Sequence, residues 1–417
     1  MATTSTPAPA APDHRHRADD WRVLVAIFWF TSMVEGLGVS QIFAFAPLYL
    51  KQMGVLEPDR LRFVGLFGSL IFIVGAPLVP LWGVWADKYS RKAVIVRSAL
   101  VEAVVFTGVA LSREPWQLAA SMLLVGFQLG NTGVMLAAIR DVAPKPRLGT
   151  VIALFGASGP VGFAVGPVLG GIVVDGLGLP LPVVFWVSAG LSVATALLVG
   201  FGSREIRPEV VPQGRAVDLA FGAVRGVLSD RVVRRIFAIF GVAFLATQMS
   251  RPYIPVLVER ANGSDIGLTS AIALVTGTAA LVGALVSPLG GWIGDRIGFR
   301  RVLVGALAAG GAAALLMPLA PTVAVLALVA VAVAASSAAV SAMVFGLLAT
   351  EIPPERRSAT LNLVYLPLYG AGIVGPVLGA IVVTAGLWAP FWLGAAVYFA
   401  GAIALATRGA HPAAAAT

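Results

Sequence analysis

The chain has 417 residues, 58% of them apolar and only 12% charged, and its mean hydropathy is +0.91. Soluble globular domains carry roughly 25% charge, which excludes an ordinary soluble enzyme. A membrane helix takes about 20 apolar residues, so a chain of this length has room for twelve with short loops and one longer linker. The formal charge of +9 does not indicate a nucleic-acid partner, because the basic residues sit in short segments between apolar runs and not on one basic face.

In chain order, residues 1–20 are rich in Ala, Pro and Thr and read as a disordered tail, not a signal peptide. Twelve apolar runs follow, at about 22–50, 63–86, 93–112, 116–139, 149–172, 182–201, 235–258, 268–293, 302–319, 322–349, 359–384 and 387–407. The cut between the ninth and tenth rests only on Pro318 and Pro321. Residues 408–417 form a second short tail. With the N-terminus inside, 22 of the 29 Lys and Arg residues fall in inner segments and five (Lys51, Arg60, Arg62, Arg113 and Arg260) in outer ones. The positive-inside rule then places both ends in the cytoplasm. Cysteine is absent, and the histidines (His14, His16 and His411) all lie in the tails. No catalytic residue, metal site or organic cofactor is expected. Gly156-Ala-Ser158-Gly159 matches the string of intramembrane serine proteases, but no span offers the histidine they need.

The chain repeats itself. Phe45-Ala-Pro47-Leu-Tyr-Leu returns as Tyr253-Ile-Pro255-Val-Leu-Val, and Gly83-x-x-x-Asp87-Lys88 as Gly291-x-x-x-Asp295-Arg296, both at an offset of 208. Gly166-Pro167-Val-Leu-Gly170 returns as Gly375-Pro-Val-Leu-Gly379 at 209. Two similarly oriented bundles, 21–201 and 235–407, joined by a basic linker at 202–234, are the expected domains. Parallel repeats with a site between them near the midplane are a transporter architecture.

Three sets of residues carry chemistry. Glu35 lies about 12 residues into the first span, ~18 Å along the helix and near the midplane, where an ionised carboxylate without a partner is costly. It is the candidate for proton exchange, with a structural hydrogen bond to a neighbouring helix as the other reading. Gly162-x-x-x-Gly166-Pro167-x-x-Gly170-Gly171 offers a smooth face for close helix approach and a bend at the proline. The loop string Gly83-Val-Trp-Ala-Asp87-Lys88-Tyr-Ser-Arg91-Lys92, with its second copy Gly291…Asp295-Arg296…Arg300-Arg301, places one carboxylate among fixed cations beside a helix N-terminus.

On these motifs the chain, over residues 21–407, resembles the major facilitator superfamily. The resemblance implies an all-α polytopic membrane protein, with twelve helices in two pseudo-symmetric six-helix bundles. The two loop strings resemble that superfamily's loop 2–3 signature, which implies a latch that locks the halves and breaks as they rock. The first copy has Ser90 where a glycine is usual. The span-five string is similar to the motif of proton-coupled drug antiporters, and implies that this face lies at the moving interface. The fourth span departs from that branch: Leu118-Ala-Ala-Ser-Met122 lacks the arginine associated with proton coupling.

Spans one, four, seven and ten line the cavity in this superfamily, so Gln128, Asn131, Gln248, Arg251 and Phe43 are candidate substrate contacts, with interhelical glue the alternative for the amides. Trp29, Phe43, Phe45 and Tyr253 are a candidate aromatic wall. By the repeat offset Arg251 corresponds to Phe43, ~12 Å outward of Glu35, so it gates the mouth, meets an anionic group or snorkels to the interface. Arg97 reads as part of the loop cluster, and Glu102 has no assigned role. The expected function is proton-driven efflux of small amphipathic, drug-like molecules by a monomer in a bacterial inner membrane. The proton gradient is the energy source, and no nucleic acid is involved. A sugar or metabolite exporter, an uptake permease, and a non-transporting receptor or scaffold are the rival readings.

Overall fold

The protein is described from a computed structural model, which covers residues 14–208, 211–351, 363 and 365–407. Every regular element among them is helical. Twelve helical segments are long and apolar enough to cross a membrane: α1 (Trp21–Gln52), α2 (Asp59–Lys88), α3 (Arg91–Leu111), α4 (Pro115–Val142), α5 (Lys145–Gly176), α6 (Pro182–Gly202), α7 (Arg231–Asn262), α8 (Leu268–Ile297), α9 (Phe299–Leu319), α10 (Val323–Leu348), α11 (Leu366–Ala385) and α12 (Ala389–Thr407). Most match the apolar runs and extend a few residues beyond them, because polar residues at the ends complete turns that hydropathy does not mark. The first helix begins at His14, inside the segment expected to be a tail. Residues 1–13 and 408–417 lie outside the described residues, as do Arg356, Arg357 and most of the start expected for the eleventh span.

Local chemistry sets the boundaries. Pro115 and Pro182 open α4 and α6 at positions where a missing N–H costs nothing. Asp230 caps α7, its Oδ1 accepting from Val232 N at 2.8 Å. The two loop copies differ here for a reason. Gly298 has φ +95°, so α9 starts from a left-handed residue. Ser90, at the same place in the first copy, is extended and caps α3 by accepting from Ala93 N at 2.9 Å.

The helices pair with two-fold regularity. α1 packs on α5, α3 on α6 and α2 on α4; likewise α7 packs on α11, α9 on α12 and α8 on α10. The halves meet along α2–α11 and α5–α8. The linker contains a helix, Ala216–Ser229, that lies against α2. Buried apolar residues form three clusters. One, with Phe45, Tyr49, Phe67, Tyr253, Val256 and Phe391, runs through both halves at the end away from the termini. The other two belong to one half each, at the terminus-side end. Large apolar side chains such as Leu197, Leu285, Leu328 and Ile381 stay exposed, as a lipid-facing surface requires.

Candidate functional site

α4 is not a continuous helix. Val125–Phe127 tightens to a 3-10 turn, Gly130 has φ +101°, and a new helical run begins at Asn131. Such a break frees backbone groups that must find other partners. The released Gln128 carbonyl accepts from Ser98 Oγ at 2.5 Å and from Arg97 Nη2 at 3.4 Å. Around this break sits a polar cluster drawn from four helices. Thr132 Oγ1 donates to Glu35 Oε2 at 3.5 Å, and Gln128 and Asn131 also face that carboxyl. Gln128 Nε2 donates to Glu102 Oε1, and Ser192 Oγ lies 3.2 Å from Glu102 Oε2. The Arg97 guanidinium carbon lies over the Trp82 ring, 3.7 Å from its centroid.

Three expectations change here. Gln128 and Asn131 do not line the cavity between the halves; they are 1% and 2% exposed and surround Glu35. Arg97 does not join the loop cluster: it turns inward over Trp82 and faces Glu35. A cation from α3, where the sequence offered none on α4, therefore faces Glu35. Glu102, 3% exposed, gains a place as the deepest carboxyl of the cluster. The sequence signal was available in Gly126 and Gly130, whose spacing marks a helix break beside two amides.

The second feature is a cavity of about 610 Å³ between the halves. It reaches from Phe43 and Arg251 to Phe345 and Tyr365, toward the terminus-side end. α7 is broken where it meets the cavity: Arg251–Tyr253 is a 3-10 turn that places Pro252 at its second position. Arg251 is the sole charged residue on the described lining. Its guanidinium carbon lies 4.3 Å from the Phe43 ring centroid and 5.1 Å from that of Phe163, so it is held across aromatic faces and does not snorkel. Gln248 and Phe43 line the cavity as expected. The rest of the expected aromatic wall lies elsewhere. Trp29 Nε1 donates to the Leu154 carbonyl at 3.1 Å, Phe45 is buried under Gly170, and Tyr253 is buried against Gly65. Phe163, Phe240, Phe244 and Phe345 take their place. Single aromatics in apolar runs give no sequence sign of which way they face.

The span-five face divides. A Cβ on Gly162 would stand 2.1 Å from the Met33 carbonyl oxygen, and one on Gly166 2.4 Å from that of Leu37. Gly162, Gly166 and Gly170 therefore seat α5 on α1 within one half, not across the moving interface. Only Pro167, which lines the cavity, and Gly171, against Ser270 of α8, face the other half.

The first loop signature is a network between the first half and the linker that follows it. Arg91, 3% exposed, pairs with Asp87 at 2.8 Å and with Asp141 at 2.6 Å. Glu205 sits on the start of α3, accepting from Arg91 N at 2.9 Å. Lys92 Nζ donates to the Ser203 carbonyl at 2.8 Å and Lys88 Nζ to Gly214 of the linker. A Cβ on Gly83 or Gly291 would meet open space. In the second copy Arg296 stacks on Trp292 at 3.7 Å and Arg300 donates to the Leu405 carbonyl. Asp295 lies in the last turn of α8 and Arg301, exposed, in the first turn of α9.

The halves are instead tied at the opposite end. Lys51 pairs with Glu259 at 3.0 Å and Asp265 at 2.7 Å, Arg60 with Glu259 at 3.0 Å, and Arg260 with Glu57 at 3.2 Å. Asp175 accepts from Ser270 N at 2.6 Å. With the joint apolar cluster beneath them, these contacts close one end of the cavity.

Two matched six-helix membrane bundles, a cavity between them sealed at one end, and a carboxyl cluster at mid-depth define a membrane transporter of the rocking type, not an enzyme. The chain belongs to the Major Facilitator Superfamily, whose family model matches residues 28–276 and 236–416. Among curated proteins it is 31% identical over 293 residues to the multidrug resistance protein MdtG of Citrobacter koseri, covering 69% of this chain and 70% of that one. It is 29% identical over 292 residues to MdtG of Proteus mirabilis, covering 69% and 71%. Among solved structures, the nucleoside transporter NupG superposes with a TM-score of 0.73 at 14% identity, covering 94% of this chain and 99% of that one. A bacterial homologue of the human lysosomal transporter Spinster, in an inward-facing and occupied conformation, gives a TM-score of 0.71 at 15% identity, covering 96% of each. The last two share the fold.

Proposed function

We propose that the protein exports small amphipathic, drug-like molecules from the cytoplasm of a bacterium in exchange for protons. The observation that carries this reading is the cavity: aromatic and small apolar walls around one guanidinium. Its breadth suits varied amphipathic solutes, and the names of the curated relatives support export. Arg251 adds a preference. A cation on the wall disfavours permanently cationic substrates and favours those with an anionic or π-rich head.

The basic residues support both termini in the cytoplasm, which makes the described state open inward and closed outward. Glu35, partly exposed beside the Thr132 hydroxyl, is the proton-exchanging group, with Arg97 as its countercharge. The bundles 21–201 and 235–407 rock about the cavity, joined by 202–234, as a monomer that needs only the proton gradient. For the cycle to run, the proton must favour one access state and the substrate the other; a ligand with equal affinity for both moves nothing.

The test is efflux of two preloaded dyes, cationic ethidium and anionic carboxyfluorescein, from cells lacking their own exporters. Wild type expels carboxyfluorescein faster than ethidium, and a protonophore or Glu35→Gln lowers this efflux at least about tenfold. Efflux that survives both treatments removes proton coupling through Glu35. Movement of neither dye, despite normal membrane expression, removes the export reading and favours uptake or a metabolite substrate.

A further inference from the structure

We propose that Glu102 is a second proton-binding carboxyl of the coupling site, linked to Glu35 through the side-chain amide of Gln128. The inference rests on the proton-coupled reading above and adds a second residue to it. It starts from hydrogen-bond accounting in a place where water cannot make up a deficit. Gln128 donates its amide nitrogen to Glu102, yet its own Oε1 is buried with no partner among the described residues. An orphaned acceptor at such a site is costly. Ser192 has one hydroxyl proton and two acceptors within reach, Glu102 Oε2 at 3.2 Å and the Ser188 carbonyl at 2.9 Å. It can serve one of them.

A single added proton on Glu102 resolves either conflict. On Oε1, the proton is donated to the Gln128 amide oxygen once that amide turns about its last torsion, and Gln128 Nε2, no longer held by Glu102, is free to donate to Glu35 alone. On Oε2, it is donated to Ser192 Oγ, which gives its own proton to the Ser188 carbonyl. No other bond forms or breaks. The amide can present its nitrogen to one carboxyl while presenting its oxygen to the other, so the state of Glu102 sets what Glu35 receives. Among the described residues, the titratable groups facing the Glu102 carboxyl and its partner are Glu35 from α1, Arg97 from α3 and, on the Glu35 side, Tyr369 from α11. α4 and α6 contribute Gln128 and Ser192, which are neutral.

Infrared difference spectra between acid and alkaline pH, taken on purified protein in lipid nanodiscs without any substrate, test this directly. Two carboxylic-acid carbonyl bands are expected from inside the protein, one absent in Glu102→Gln and the other absent in Glu35→Gln. Gln128→Met shifts both, because the amide touches both carboxyls, and Ser192→Ala shifts only the Glu102 band. A Glu102→Gln spectrum that matches wild type overturns the proposal, and a Gln128→Met shift confined to one band removes the link. If Glu102→Gln does not fold, Ser192→Ala decides: an unshifted spectrum counts against Glu102. In proteoliposomes, Glu102→Gln lowers carboxyfluorescein transport driven by a pH gradient about tenfold and leaves dye affinity unchanged; unchanged driven transport counts against the proposal. If wild type moves no dye, the export reading fails, while the spectra still report on Glu102.

Discussion

Arg97 and Arg251 are basic residues set well inside their spans, and the structure gives them different surroundings. Arg97 lies six residues into α3, ~9 Å from its start. That is close enough to the loop signature for sequence position to suggest membership in it. Its direction is decided by Trp82 of α2, which offers a ring face, and by the carbonyl freed at Gln128. Neither can be read along the chain. Nε and Nη1 of Arg97 remain without partners among the described residues, so its charge is available to Glu35. Arg97→Gln is accordingly expected to lower pH-gradient-driven efflux about a hundredfold, while Arg113→Gln, on an exposed far-side loop, leaves it within about twofold. Measurement of both in proteoliposomes at equal protein density checks this, and equal effects would return Arg97 to a structural role. Glu35 itself was legible, because a lone carboxyl at mid-depth has few structural explanations. Glu102 was not, since its partners Gln128 and Ser192 come from two other helices.

At the scale of elements, the sequence marks where helices lie better than where they bend. Hydropathy locates all twelve spans, yet the breaks at Gln128–Gly130 in α4 and Arg251–Tyr253 in α7 set the site. Each coincides with a glycine or proline and with side chains that face an unfilled interior. The α1–α5 contact shows the same limit. Its glycine spacing was visible, but several helices could have been the partner, and only packing selects α1. A methyl group at Gly162 would meet backbone, not a movable side chain. Gly162→Ala is therefore expected to destabilise the first bundle by about 1–3 kcal/mol and lower the melting temperature of the purified protein. Gly83→Ala, inside α2 where the space is open, does not lower it. A Gly162 variant that melts like wild type would mean that α5 can shift on α1.

For the whole molecule, the far-side ion pairs join the halves of the described state. Arg60 is central to them: its side chain is 8% exposed and holds Glu259 of the other half and Glu57 of its own. Exposed pairs contribute roughly 0–1 kcal/mol, but removing one partner of a buried pair leaves a charge without compensation. Glu259→Gln should therefore shift the equilibrium toward the state open at this end by about tenfold, near 1.4 kcal/mol. The chain has no cysteine, so spin labels at Leu56→Cys and Ile266→Cys, both highly exposed, report the far-side distance cleanly. A distance distribution unchanged by Glu259→Gln would mean that the apolar cluster beneath closes this end alone.

The sequence by itself determined the class, the span count, the two-fold repeat and the presence of a carboxyl, Glu35, in the middle of the first span. These follow from hydropathy, charge position and recurrence, which are properties of the chain in order. Tertiary structure alone decided which residues sit together: that Gln128 and Asn131 surround Glu35 and do not line the cavity, and that Arg97 faces Glu35 and not the loop cluster. It also decided that Lys51, Arg60 and Arg260, a minority in the charge count, close the far side. The physical reason is that helices apolar on every side carry little record of which face meets which neighbour. Direction is chosen by close packing, by helix breaks and by the need of each buried polar group for a partner, and all three depend on residues far apart in the chain.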